Sequence, residues 1–360
     1  MRTATYNTQR NAIEIRFKLI SSPSDFAANR SSFYRICEAI KTIPGRRYDP
    51  EAKLWLVPKW HARKVIDVLS HFSFEFDSTV RSLADQVDSI IQSSKELKTS
   101  GTIDTNLSLY DFQHRGAAWL REIESAMLAD EPGLGKTLQT IMALSGIRSV
   151  LVICQASNKY DPWEDELKKW VSIQPVIVGG TATQRKEQWQ SASKAEWTIC
   201  NYELILRDIA SAKKIKWEAI VCDEAQRISN PWAKTTTAIK TLHAERRIAL
   251  TGTPVSNSPV DVFSIMDWLH PGYLGTRKQF FTSYVVQDNF GAVRSYKNLD
   301  NLFTRLEPFV LRRKKEEVID DFPPLIEQKI SFDLSKEERK LYDHVKLNLL
   351  SGLIVDFSEY

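Results

Sequence analysis

Six short apolar runs, separated by stretches of helical spacing, organise the larger part of the chain. Ala126-Met127-Leu128-Ala129 comes first, followed by Val150-Leu151-Val152-Ile153-Cys154 and Val176-Ile177-Val178. Trp197-Thr198-Ile199-Cys200, Ala219-Ile220-Val221-Cys222 and Arg247-Ile248-Ala249-Leu250 complete the set. The central runs do not alternate with polar residues, which predicts strands buried on both faces. Repetition of strand, loop and helix predicts an α/β fold: a mostly parallel sheet covered by helices. Residues 262–320 read as helical but less regular, with aromatics and a basic cluster.

The first hundred residues follow another pattern. Ala12-Ile13-Glu14-Ile15-Arg16-Phe17 alternates with period two, as a half-buried strand does. Phe33, Ile36, Ala39 and Ile40 have helical spacing, and Pro44-Gly45 ends that helix. Leu54-Trp55-Leu56-Val57 predicts a second strand, and 60–69 and 80–91 two more helices. The predicted organisation is a small α/β domain over 1–95 and a Ser- and Gly-containing linker over 96–106. A larger lobe follows over 107–330, with a helical insertion around 262–320, then a remainder over 331–360.

Composition narrows the picture only a little. With 360 residues the chain is long enough for two or three domains, and 42% apolar residues can fill a core. Ten Trp and sixteen Phe argue against disorder. The net charge of +4, from 49 basic and 45 acidic side chains, permits contact with a polyanion without requiring it. Cys37, Cys154, Cys200 and Cys222 form no CxxC pair and sit among apolar residues, so reduced, mostly buried thiols are expected. No window approaches the apolar length of a membrane span, and the N-terminus has no signal-peptide pattern. No membrane partner is expected.

Three motifs carry chemistry, each placed where a predicted strand ends. Gly133-Leu134-Gly135-Lys136-Thr137 stands between a short strand and a helix. Its glycines suit a nest of inward-facing amides, Lys136 a grip on β- and γ-phosphates, and Thr137 a hydroxyl on Mg²⁺. Asp130 occupies the position where the usual phosphate loop has its first glycine. Asp223-Glu224 follows a buried run, where open parallel sheets place their ligands. Asp223 suits Mg²⁺, directly or through water, and Glu224 the polarising or positioning of an attacking water. Thr251-Gly252-Thr253 closes a third strand end onto the same crevice, where hydroxyls would sense the γ-phosphate or a neighbouring carboxylate. Gln113 has an amide able to match an adenine edge, though a Gln at a helix start is often plain surface.

These motifs resemble the first RecA-like lobe of the SWI2/SNF2 family of superfamily 2 DNA translocases. The similar segments run from 109 to about 342. They comprise Leu128-Ala129-Asp130-Glu131 before the glycines, Asp223-Glu224-Ala225-Gln226-Arg227-Ile228 with Asn230-Pro231, and Leu250-Thr251-Gly252-Thr253-Pro254-Val255-Ser256-Asn257-Ser258. Leu311-Arg312-Arg313-Lys314-Lys315-Glu316-Glu317-Val318 and Phe322-Pro323-Pro324 complete them. The resemblance implies an adenine-reading role for Gln113, phosphate and Mg²⁺ roles for Lys136 and Thr137, and Mg²⁺ and catalytic roles for Asp223 and Glu224. It implies a coupling role for Thr251-Gly252-Thr253. The basic run at 312–315 would touch acidic or phosphate groups, or tether the start of a second lobe. Two departures stand out: Pro132 replaces a usual methionine, and Gln155-Ala156-Ser157 stands where Pro-Ala-Ser is usual. That second segment touches the tracked DNA strand in the family, which makes Ser157 and Asn158 candidates for phosphate contact.

The N-terminal region is similar to the HARP domain of annealing helicases, through 43–50 and 53–58. Arg46, Arg47, Lys53 and Lys59 beside Tyr48, Trp55 and Trp60 would make a cationic, aromatic DNA surface, although Trp55 could equally be core. The expectation is therefore the nucleotide-binding part of a DNA-dependent ATPase that remodels or anneals double-stranded or forked DNA, with ATP and Mg²⁺ as cofactors. The family's motor needs a second RecA-like lobe, in cis or in trans, whose motifs do not occur before Tyr360, so the chain alone is expected to be weakly active or inactive. The rival reading is a non-enzymatic DNA-binding or partner-recruiting module with a vestigial ATP site. The expected location is cytoplasmic or nucleoid-associated in a prokaryotic or viral setting, and nuclear in a eukaryote.

Overall fold

In the computed structural model, residues 2–18, 26–253, 259–288, 292–318 and 333–357 are described. The motif residues 254–258 and 322–324 lie outside these segments. Residues through Val318 form one compact unit.

That unit opens with strands β1 (Thr3–Asn7) and β2 (Ala12–Arg16), helix α1 (Phe26–Lys41), strands β3 (Arg47–Asp49) and β4 (Leu54–Pro58), and helix α2 (Ala62–Leu69). A short strand β5 (Glu75–Phe76) precedes helix α3 (Ser78–Ser100). The sheet order is β3-β4-β2-β1-β5, antiparallel except for the β1–β5 pair. One face carries Ile13, Ile15 and Val57 into a core with Ile36, Ile40, Val65, Leu69 and Val80. The period-two reading of β2 places Ile13 and Ile15 correctly. Glu14, expected on the wet face, is instead only 5% exposed. It is held by Arg16 at 2.6 Å and the Asn7 amide at 2.9 Å, beside a small second cluster of Ala12, Leu54 and Leu56.

The stretch expected as a linker over 96–106 is, through Ser100, the end of α3. Asp77 caps this helix, its carboxylate accepting from the Val80 amide at 2.7 Å. Tertiary contacts hold this end of the helix: Lys98 donates to the Val310 carbonyl at 2.8 Å, and one turn earlier buried Ser94 donates to the Pro308 carbonyl at 2.7 Å and accepts from Trp119 Nε1 at 2.9 Å.

Helix α4 (Asp111–Ile123) and strand β6 (Ser125–Leu128) begin the second sheet, followed by α5 (Lys136–Ala143), β7 (Val150–Cys154), α6 (Asp165–Val171) and β8 (Val176–Ile177). Then come α7 (Ala182–Ala192), β9 (Trp197–Asn201), α8 (Tyr202–Arg207), α9 (Ile209–Ala212), β10 (Trp217–Asp223), α10 (Lys234–Lys240) and β11 (Ala244–Leu250). Every run singled out by its apolar pattern is a strand. The order is β14-β6-β11-β10-β7-β9-β8, all parallel, where β14 (Val310–Leu311) is an edge strand too short for its sequence to announce. Before it lie α11 (Val260–Leu269), α12 (Arg277–Tyr284), an antiparallel ribbon β12 (Val285–Gln287) and β13 (Val293–Tyr296), and α13 (Leu299–Leu306). The expected helical insertion thus contains a ribbon and hands a strand to the main sheet. Helix α14 (Lys315–Val318) ends the unit, and α15 (Lys336–Phe357) belongs to a second one.

The small sheet is fastened to the large lobe rather than tethered beside it. Trp60 meets His270, Tyr273 and Phe309 at ring-centroid distances of 4.5, 6.5 and 5.8 Å. His61 Nε2 lies 3.2 Å from the Gly272 carbonyl, and the Gly45 amide donates to Gln279 at 2.9 Å.

Candidate functional site

Parallel strands in register bring their C-terminal ends to one edge, and here three chemistry-bearing segments arrive together. Strand β11 lies between β6 and β10, pairing Leu250 with Leu128 on one side and with Asp223 on the other. The loop 129–135, the Asp223-Glu224 pair and Thr251-Gly252-Thr253 therefore leave adjacent strands at the same level.

The loop after β6 turns because Gly133 (φ +89°) and Gly135 (φ +72°) occupy the left-handed region open to glycine. A side chain at Gly135 would also place its Cβ 2.6 Å from Gln113 Nε2, so the loop and the Gln113 amide sit in close contact. Lys136, the first residue of α5, is half-buried and donates to the Asp130 carbonyl at 2.9 Å. Burial lowers its pKa, while Glu224, Asp130 and Asp223 pull it back up. Among the described residues its ammonium forms no ion pair, so a charge is presented to the crevice without a carboxylate bonded to it. Gln113 is buried, its Oε1 accepting from the Tyr110 amide at 3.1 Å and its Nε2 reaching the Leu134 carbonyl at 3.5 Å.

Asp223 is 8% exposed at the end of β10. Burial raises its pKa, and bonds from Trp163 Nε1 at 3.0 Å and the Asn158 amide at 3.3 Å oppose that rise. Glu224 has φ +51°, a left-handed backbone that a non-glycine residue adopts only under constraint. Its amide donates to Asp223 Oδ1 at 3.0 Å. From the Glu224 carboxylate a chain of hydrogen bonds leads to the Thr251-Gly252-Thr253 segment. Gln226 Nε2 donates to Glu224 Oε2 at 2.8 Å, Thr251 Oγ1 donates to Gln226 Oε1 at 2.8 Å, and the Thr253 amide donates to Thr251 Oγ1 at 3.1 Å. The segments that follow β10 and β11 are thereby joined through one amide side chain.

Beneath the loop, Asp130 is fully buried and receives Arg313 in two bonds, Nε at 3.0 Å and Nη2 at 2.5 Å. Arg313 Nη2 also donates to Gln139 Oε1 at 2.8 Å, Arg313 Nη1 donates to the Phe112 carbonyl, and Gln139 Nε2 bonds the Leu134 carbonyl at 3.0 Å. Of the two readings left open for the basic run 312–315, Arg313 meets the acidic-group one. The departure at Asp130 acquires a physical reason: its carboxylate anchors the phosphate loop to the segment after β14. Gln226, Arg313, Gln139 and Trp163 received no individual role from the sequence. Gln226 and Arg313 lay inside quoted motifs, which is the signal that would have found them.

The DNA-contact candidates separate. Arg47 and Lys53 are exposed, with Tyr48 nearby at a ring distance of 5.2 Å from Trp55. Arg46 is half-buried, its guanidinium donating to the Ile43 carbonyl at 2.9 Å and its pKa lowered by burial. Lys59 and Trp60 do not join that surface. Trp60 packs into the joint with the large lobe, with the Lys59 ammonium 4.9 Å from its ring. Ser157 is exposed, whereas the Asn158 amide is turned inward onto Asp223.

The donor set fits a nucleotide and its metal. Lys136 and the glycine loop supply cationic and amide groups, and Asp223 with the Thr137 hydroxyl supplies hard oxygen ligands of the kind Mg²⁺ takes. No helix among the described residues is long and apolar enough to cross a membrane, and no group of three or more His, Cys, Asp or Glu forms a metal cluster among them.

Comparison with known proteins agrees with this geometry. The SNF2-related domain matches residues 112–356. An uncharacterised ATP-dependent helicase of Mycoplasma genitalium is 30% identical over 313 residues, covering 83% of this chain and 29% of its own length. The TATA-binding protein-associated factor mot1 of Aspergillus fumigatus is 30% identical over 285 residues, covering 70% of this chain and 15% of its own. The chain thus spans less than a third of either relative. Among solved structures, the Sulfolobus solfataricus SWI2/SNF2 ATPase core in complex with dsDNA shares 32% identity at a TM-score of 0.52, over 71% of this chain and 55% of that one.

Proposed function

The chain belongs to the SNF2-related domain family, and on that premise we propose that it is the nucleotide-binding lobe of a DNA-dependent ATPase that translocates on DNA to remodel or anneal it. The observation that carries this reading is the convergence of three motifs at the ends of adjacent strands β6, β11 and β10. Gln113 orients the adenine. The amides around Gly133 and Gly135 cradle the phosphates, and Lys136 exchanges its carbonyl partner for phosphate oxygen. Thr137 and Asp223 hold Mg²⁺, which when bound neutralises phosphate charge. Glu224 positions and polarises the attacking water, while the Gln226–Thr251 chain ties its carboxylate to the coupling segment. A second lobe, in cis or in trans, would supply arginines for the transferring phosphoryl group, which is why this lobe alone is expected to turn over slowly.

A vestigial site has no physical need for this bonded carboxylate–amide–hydroxyl chain, which favours the enzymatic reading. Lys136→Ala should abolish Mg²⁺-ATP binding in calorimetry, and equal affinity in variant and parent would refute the pocket. For residues 1–95 we propose an accessory DNA-contact role like that of the HARP domain, supported by the exposed Arg47, Tyr48 and Lys53.

A further inference from the structure

Trp232 is 71% exposed, more than any other large apolar side chain among the described residues. It is held in place all the same. Its amide donates to Asn230 Oδ1 at 2.9 Å, closing a turn through Pro231. Arg277, at the start of α12, lays its guanidinium over the Trp232 ring at 4.9 Å and over Phe281 at 4.7 Å. Arg277 and Phe281 of this stack also line a groove of about 640 Å³ with Lys278, Thr282 and Lys297 among others, and no carboxylate stands among the described residues of its wall. Among the described residues none of its three cations forms an ion pair. The fold spends nothing on neutralising them, and a large indole stands in water beside them.

We propose that Trp232 and this groove bind single-stranded nucleic acid, an unpaired base stacking on the indole while neighbouring phosphates meet Lys278 and Lys297. Stacking of this kind needs a base whose face is free, which a duplex does not offer, and it tolerates any base because every base has a π-face. Trp and Arg also anchor protein interfaces. Three cations without an ion pair, in a wall with no carboxylate among its described residues, favour a polyanion over a protein surface of mixed charge. The site is distinct from the strand-end crevice but adjoins it along the chain. Trp232 follows Glu224 by eight residues, and the intervening turn is pinned where Ser264 Oγ donates to the Ile228 carbonyl at 2.7 Å. The proposal rests on the reading that the protein works on DNA and adds a contact specific for unpaired strand.

Fluorescence anisotropy of the full chain with a labelled oligothymidine and a labelled blunt duplex, at several salt concentrations, tests it. Trp232→Ala should weaken oligothymidine binding by about tenfold or more and Trp232→Phe should retain most of it. Replacing Lys278 and Lys297 together by Ala should flatten the salt slope for the single strand by about 1.4. Duplex affinity should be unchanged in all three variants, each of which alters only exposed side chains. Oligothymidine bound as tightly by Trp232→Ala as by the parent overturns the proposal, as does a parent that binds duplex but no oligothymidine; in both cases the broader DNA reading stands. A parent that binds neither ligand removes that reading too.

Discussion

Gln226 suits its position because an amide donates through its nitrogen and accepts through its oxygen at once. It gives a hydrogen to Glu224 and takes one from Thr251. In a protein that joins this lobe to a second one, Gln226→Leu should therefore leave Mg²⁺-ATP affinity nearly unchanged while lowering DNA-stimulated phosphate release by about tenfold, less than the ~10²–10⁴ expected for losing the base itself. Unchanged release at unchanged affinity would show that the chain of bonds couples nothing. Arg313 acts on stability instead. Asp130 is fully buried, so Arg313→Ala leaves a buried carboxylate without its bidentate partner and should cost about 3–5 kcal/mol in urea unfolding. Lys at this position would not restore the bond pattern, since three fixed donors reach Asp130, Gln139 and the Phe112 carbonyl. A loss below about 1 kcal/mol would mean that water replaces the guanidinium.

At the scale of elements, the joint between the small sheet and the lobe is built on neutral histidines. His61 faces the Gly272 carbonyl, and His270 Nε2 lies 2.7 Å from the Ser125 carbonyl. Burial pushes the His61 pKa down to about 4 and that of His270 down to about 3, and the nearby cations Arg305, Lys59 and Arg247 act in the same direction. In the unfolded chain both titrate near their ordinary value of about 6.5. Below that value the unfolded state binds protons that the folded state refuses, so stability is complete above about pH 6.5 and falls on acidification towards the folded values. By about pH 5 the loss should reach about 2 kcal/mol per histidine. Urea midpoints between neutral pH and pH 5 measure it, and replacing both residues by Gln should flatten the profile. A flat profile in the parent would place the joint elsewhere.

For the whole molecule, two of the surfaces that carry exposed cations bear on DNA contact, one on the small sheet and one around α12. Of the four cationic candidates on the small domain, Arg47 and Lys53 face water, since Arg46 returns to the Ile43 carbonyl and Lys59 faces the joint. Removing Arg47 and Lys53 together should flatten the salt slope of duplex binding by about 1.8. Arg46→Ala should change it by less than half as much as either. An unchanged slope for the double variant would make this face a brace for the lobe, or a protein contact.

Local structure was legible in the sequence. The apolar runs that became strands record double-sided burial, and the glycines at 133 and 135 record left-handed turns, because both demands act on consecutive residues. The positions of 223, 224 and 251 after their runs, and of 136 at the head of the helix beyond the glycines, were legible for the same reason. What only the tertiary structure decided lies between distant segments. Arg313 reaches Asp130 across 183 positions, and Lys98 fastens an apparent linker as helix by bonding the Val310 carbonyl across 212. Trp60, which reads as surface aromatic beside basic residues, is drawn into the joint by His270 and Phe309. Strand β14 exists because β6 offers it an edge, and two residues carry no periodicity of their own. Periodicity reports which face of an element is buried; which partner buries it is fixed only when the chain closes on itself.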